Sequence, residues 1–286
     1  MPIALDSATS GMNAFQQMMD VIGNNIANVN TTGYKSSSTT FEDLLSQTMS
    51  GGSAGTSSGI GGTNPVQVGL GTQVASIYSN FAEGSLQNTG NPDDLAINGS
   101  GFFMLSPVTG ATSGISITGS NLYYTRAGDF HVDSNGYLVN PNGYYLMGVS
   151  GSGGVTNSST LTAIQISGTG SEFTIGASGL VTVIPASGSN YSYNIALANV
   201  TNPDGLIKAG DSLYEANGAS PAAGPNSYSE GDSSGMGGIQ QGALEGSNVN
   251  LTSEMSNMIV AQTGYESNSK VINTENQMDQ FMLQQV

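Results

Sequence analysis

The sequence contains no cysteine. Disulfides, thiolate-held metals and a thiol nucleophile are therefore excluded, although the compartment is left open. Basic residues are almost as scarce: Lys35, Arg126, Lys208 and Lys270 stand against 20 acids, for a formal charge of −16. Four scattered cations cannot neutralise a phosphate backbone, and the same deficit argues against docking on anionic lipid. An acidic, solvated surface that keeps the monomer soluble is the plainer account of this charge. No apolar run approaches the length of a membrane span. The first residues, "MPIALDSATSGMNAF", lack a basic stretch followed by a continuous apolar one, so any export is expected to proceed without a cleavable signal peptide.

Groups for chemistry are also thin. His131 is the single histidine and is expected on a surface or strand rather than as a base or ligand. Asp93 and Asp94 are neighbours, which on a strand would turn them to opposite faces and prevent them from acting as a carboxylate pair. "DFHVDSNGY" has some of the acids of a calcium loop but not the full spacing or the closing Glu, and a hairpin turn explains it better. No phosphate loop is present. The expectation is a protein without catalytic residues, cofactor or metal.

What is abundant is Gly, with 41 residues, together with Ser, Thr and Asn; charged residues make up only 8%. Such a composition favours turns and short strands. From residue 66 to 244 runs such as "QVASIYSNFA", "DLAINGSGFFML" and "LYYTRAGDFHV" read as strands, with Asn135-Gly136 and Asn142-Gly143 as hairpin turns. Residues 46–65, with "GGSAGTSSGIGGTNP", read as a linker or extended loop, and a second Gly/Pro/Ser-rich stretch covers 216–238.

The two ends differ from this middle. Leu5, Ala8, Met12, Phe15, Met19, Ile22, Ile26 and Val29 follow alternating steps of three and four, a heptad seam kept up for about seven turns, with Gly33 as the expected cap. Asn24, Asn25 and Asn28 lie among them; they could hydrogen-bond across subunits and set register, or sit on a solvated face. At the other end Leu251, Met258, Tyr265 and Ile272 recur every seven residues, Met255 and Ile259 widen the stripe, and Met278, Met282 and Val286 continue it. Asn248 or Thr252 is the expected cap, with Glu254 in the first turn. Residues 1–45 and 245–286 are thus expected to be helical assembly segments of an α+β chain: coiled-coil-type helices at both ends and a central, mainly antiparallel β domain. A lone amphipathic helix is marginal in water, and a two-helix hairpin leaves much of each stripe wet. Both ends are therefore expected to be disordered in the monomer and to fold against neighbouring copies.

"SGMNAFQQMMDVIGNNIANVNTTGYKSSSTTFEDLLSQT" resembles the N-terminal signature of bacterial flagellar rod and hook proteins, and "GALEGSNVNLTSEMSNMIVAQTGYESNSKVINTENQMDQFM" resembles their C-terminal one. With "GGTNPVQVGLGTQV", "GSLQNTGNPDDLAINGSGFFML" and "YYTRAGDFHVDSNGYLVNPNGYYL" the resemblance extends over most of the chain. Within the family the compact hook proteins are the preferred match and the distal rod protein the alternative. Larger hook proteins insert an outer β domain after the segment matched by residues 137–149; here only residues 150–165 stand in that place.

The resemblance implies a helical homopolymer: the hook, a flexible joint passing torque from motor to filament. It further implies export through the flagellar type III apparatus, an extracellular place in the flagellum, and rod, hook-cap and hook–filament junction proteins as partners. Neither nucleic acid nor membrane insertion enters this picture. The rival from another class is a secreted β-rich binding module using Tyr123, Tyr124, Tyr144 and Tyr145, which has no need of heptads at both ends.

Overall fold

The computed structural model describes residues 2–54, 61–107, 115–116, 122–150, 160–166, 172–185, 190–200, 202–216, 228–229 and 236–284. Residues 55–60, residues 151–159 of the short 150–165 piece, most of the stretch at 216–238 and Val286 lie outside them. The chain divides into two compact units: residues 1–27, 37–80 and 250–286 form one, residues 28–36 and 81–249 the other. The ends are helical and the middle is antiparallel β, an α+β protein as the residue pattern implies.

In the helical unit, α1 spans Pro2–Ala27 and α2 spans Leu251–Gln284. Pro2 suits a first turn, where its missing N–H has no partner to lose. α1 stops before Val29 because Asn28 bonds locally: its carbonyl accepts from Thr31 N at 3.1 Å and its Oδ1 from Thr31 Oγ1 at 3.1 Å. Gly33 is not the helix cap. It lies in the β unit at φ +65°, donating its N–H to the Glu245 carbonyl at 2.8 Å, and a Cβ there would come within 2.4 Å of Ala127 N. The cap of α2 is Asn250 rather than Asn248 or Thr252: its Oδ1 accepts the N–H groups of Thr252 and Ser253 at 3.1 and 3.2 Å.

The helices approach closely because glycines face side chains across the contact. A Cβ on Gly264 would meet the Phe15 ring at 2.5 Å, and one on Gly11 would meet Asn268 Nδ2 at 2.5 Å. A third element completes the packing. Ser37–Asp43 pairs antiparallel with Thr72–Ser79, and this ribbon lies against α1, with Thr72 N donating to Ser10 Oγ at 3.3 Å and the Phe15 and Phe41 rings 6.0 Å apart. Both ends are accordingly continuous helices in the single chain, where isolated stripes would be disordered; the ribbon covers part of what two helices leave wet.

The ribbon continues through the segment read as a linker. Ser46–Ser50 pairs with Val66–Gly69, and Ser53 bridges Thr63. Residues 66–80 thus group with the helices and not with the β unit.

The β unit is built on an antiparallel path that runs Glu172–Ile175, Leu180–Ile184, Tyr191–Ile195, Tyr145–Ser150, Phe102–Ser106, Tyr123–Thr125, Leu213–Glu215, Ile207–Gly210. Phe102–Ser106 is buried at every position. Phe103 and Leu105 join one apolar cluster while Phe102 and Met104 join the other, so this strand is covered on both faces. Both Asn-Gly turns are present. His131–Val132 returns as Leu138–Val139 around Gly136 at φ +79°, and that strand pairs with Tyr145 around Gly143 at φ +82°. Asp93 and Asp94 sit at the turn before strand Leu95–Asn98, not on a strand.

Candidate assembly surface

The heptad residues separate into a covered set and a bare set. On α1, Ala8, Ile22 and Asn25 are buried; Met12, Phe15, Met19 and Ile26 are half-buried; Leu5 and Asn24 are exposed. Ala14, outside the seam, is also buried. Asn28 and Val29 are half-buried in the β unit, so neither belongs to the helical stripe. The α1 seam is largely spent within its own chain.

α2 is the reverse. Met258 and Ile272 are half-buried, but Leu251, Met255, Ile259, Tyr265, Met278 and Met282 are exposed, and so are Val260, Val271, Phe281 and Leu283, which the seven-residue rows omit. Ile259 is 64% exposed and Leu283 79%. What α2 turns inward is small or polar: Ala261, Gly264, Asn268 and Glu275. The signal for this was present as the Ala261, Gly264, Asn268 spacing, which an apolar-only count passes over. Thr274, Gln277, Met278, Phe281 and Met282 outline a shallow hollow of about 430 Å³ near the end of the helix. These bare apolar side chains lie on more than one face of α2, and large ones uncovered in such number along one helix mark an interaction surface.

The asparagines behave differently from one another. Asn25 is fully buried, its Oδ1 accepting from Ser37 N at 2.9 Å and its Nδ2 donating to the Ser37 carbonyl at 2.8 Å and to Glu254 Oε1 at 3.2 Å. Its amide is used inside the chain, which corrects a role for Asn25 in bonding across subunits. Asn28 bonds Thr31, and Asn24 lies on the exposed side of α1.

Charge is spent in an unexpected place. Lys35 and Glu245 are both fully buried in the β unit, with Nζ 2.5 Å from Glu245 Oε1; Arg126 Nη1 lies 3.3 Å from the other oxygen. Lys35 Nζ also donates to the Ala82 carbonyl at 2.9 Å, Gly84 N donates to Glu245 Oε1 at 2.9 Å, and Arg126 Nη2 donates to the Gly99 carbonyl at 2.7 Å. Burial draws the Lys35 ammonium below its ordinary value, with the Glu245 carboxylate opposing that shift. Two of the four basic residues are therefore interior, a feature that no local pattern reveals.

No catalytic constellation accompanies these features among the described residues. His131 lies exposed on its short strand, and no group of three His, Cys, Asp or Glu able to hold a metal gathers among the described residues. The tyrosines of the rival binding module pack on neighbours: Tyr124 is buried, Tyr123 meets Tyr144 edge-on at 5.2 Å, and Tyr145 meets Tyr137 at 5.4 Å.

Helices at both extremes, an antiparallel β middle and bare apolar side chains along α2 describe a subunit of an assembly. Comparison with known proteins agrees. Residues 5–35 match the family described as flagella basal body rod protein, residues 96–183 the flagellar hook protein FlgE/F/G D1 domain, and residues 240–285 the flagellar basal body rod FlgEFG protein C-terminal region. The chain is 40% identical over 282 residues to the flagellar basal-body rod protein FlgG of Bacillus subtilis, covering 98% of this chain and 97% of that one. To FlgG of Caulobacter vibrioides it is 37% identical over 282 residues, 96% of each. To the flagellar hook protein FlgE of Borreliella burgdorferi it is 48% identical over 146 residues, 51% of this chain and 30% of the hook protein. The chain belongs to the FlgE/F/G family of flagellar rod and hook proteins, and is a structural protein, not an enzyme.

Proposed function

We propose that this chain is a distal rod subunit of the flagellar basal body. It would polymerise head to tail into an open helical tube, because a heterologous contact that does not close on itself propagates. The observation that carries polymerisation is the set of uncovered apolar residues on α2, Met255 and Ile259 on one side and Met278 and Met282 on another. Neighbouring copies would bury them. Segments 1–45 and 245–286 would be the assembly segments, with α2 presenting bare apolar side chains to its neighbours. Met12, Phe15, Met19 and Ile22 would hold α1 in shape for those contacts rather than make them, while the exposed Leu5 is free to join them.

Full-length similarity favours rod over hook: the rod relatives align over nearly the whole of both chains, the hook relative over half of this one. The hook subunit remains the second reading, supported by the higher identity inside that half. Other rod and hook components, the junction and cap proteins of a hook, and the flagellar export apparatus would be its partners, and its own place would be in the exported part of the flagellum. Localisation in isolated basal bodies by immunogold electron microscopy tests this. Label on the straight segment below the hook is the expected result, and label on the curved segment would return the hook assignment.

A further inference from the structure

Glu245 ties together parts of the β unit that are remote in the chain. Its carboxylate receives Lys35 Nζ, Gly84 N and Arg126 Nη1, and its carbonyl receives Gly33 N. Three residues on, Asn248 repeats the pattern: its Oδ1 accepts from Ser36 N at 2.8 Å and its Nδ2 donates to the Ala82 carbonyl at 3.1 Å. Residues 33–36 follow the first helix in sequence, and 82–84 follow the ribbon. Thus segments 33–36, 82–84 and 245–248 meet around one buried acid.

The charge count makes that acid decisive. Lys35 is fully buried and Arg126 4% exposed, and among the described residues Glu245 is the one carboxylate bridged to either. Without it Lys35 would keep the Ala82 carbonyl and Arg126 the Gly99 carbonyl, but both cations would lose their bridged counter-charge, and removing one partner of a buried pair is strongly destabilising. Meanwhile most of both apolar clusters comes from residues 95–214, with Met236 and Ile239 the late additions. The core therefore has its material before residue 245, while Lys35 feels the charge of Glu83 but, among the described residues, has no bridged carboxylate until Glu245 arrives.

We propose that Glu245 is a latch: segment 33–36 docks on the β unit only when the last strand, Ala243–Glu245, has been laid against Leu86–Asn88. The chain following the first helix and the chain preceding the second are then placed in one event. A subunit delivered from its N-terminus would keep its first segment undocked until the end of the chain was present. The inference holds for either a rod or a hook polymer and does not rest on that choice.

Amide hydrogen exchange of the full-length purified chain tests it with Glu245→Gln, which keeps the shape and removes the charge. Exchange at residues 33–36 and 82–84 is expected to accelerate about a hundredfold or more, while 102–106 and 145–150 stay within a few-fold of the parent. Adding Lys35→Met to Glu245→Gln removes one stranded cation and is expected to restore most of the lost protection. General loss of protection in Glu245→Gln that Lys35→Met repairs also supports the latch, since it traces the loss to charge. Unchanged exchange at 33–36 in Glu245→Gln overturns it, and so does a general loss that the second substitution fails to repair.

Discussion

The carboxamide of Asn25 and the backbone of Ser37 form a closed pair, amide nitrogen to carbonyl at 2.8 Å and amide oxygen to N–H at 2.9 Å. A helix side chain thus pairs with the first residue of a strand as another strand would. Since Asn25 is fully buried, its amide has no access to water in place of these bonds.

Asn25→Ala should destabilise the helical unit by roughly 1–3 kcal/mol, because both backbone groups of Ser37 lose a buried partner. Asn25→Asp should be worse at neutral pH, since it exchanges a donor for a carboxylate facing Glu254 Oε1, now 3.2 Å from Nδ2. Urea unfolding followed by circular dichroism measures both. Parity between Asn25→Asp and the parent at pH 7 would contradict the pairing.

Gly264→Ala offers a contest between two effects. Alanine improves helix propensity by about 1 kcal/mol, but here its Cβ meets the Phe15 ring at 2.5 Å, and overpacking costs about 1–3 kcal/mol. Net destabilisation is expected, and Phe15→Leu should soften it when the two are combined. A strictly additive double-mutant cycle would show that the contact does not govern this site.

Assembly and stability should separate along the two helices. Ile259→Asp and Met278→Asp alter exposed positions and should leave the monomer's unfolding midpoint nearly unchanged, within about 0.5 kcal/mol. They should nevertheless abolish sedimentable polymer. Ile22→Asp, at a buried position, should unfold the helical unit itself. Polymers of normal yield from both α2 variants would remove the proposed surface.

Asp129 connects stability to pH. Burial raises its carboxyl above the ordinary 3.8, its own backbone bond opposes this, and the charge of Asp94 adds to the rise. A raised folded pKa means the native state holds the proton more tightly than the unfolded state. Its contribution to stability is therefore full below about pH 3.8 and falls as pH climbs through the folded value. Asp129→Asn should raise the melting temperature at pH 7 and lose that advantage near pH 3.5. Equal midpoints of variant and parent at pH 7 would contradict the assignment.

Much of the architecture was legible without coordinates because it is local. A 3–4 alternation over Leu5–Ile26 specifies a helix with a stripe, and Asn-Gly at 135–136 and 142–143 specifies tight turns between strands. The partner of a stripe is not specified in this way. Counting apolar residues placed Met255, Ile259, Tyr265, Met278 and Met282 on the same footing as Met258 and Ile272, yet the structure leaves the first five bare. α2 meets α1 through Gly264 and Asn268, and the depth of that approach depends on what the facing helix presents. Equally, Ser37–Asp43 fell inside a segment expected to be helical and Ser46–Ser50 inside one expected to be a linker, because these strands gain their partners, Thr72–Ser79 and Val66–Gly69, only across a long Gly/Ser-rich gap.

The amino-acid order alone determined where the two long helices run and where the Asn-Gly turns fall, since those depend on neighbours a few residues apart. Tertiary structure decided which apolar residues remain uncovered, and that Lys35 meets an acid 210 positions away while Arg126 meets the same acid across 119. Such pairings depend on distances in space that folding alone creates, so no local pattern carries them.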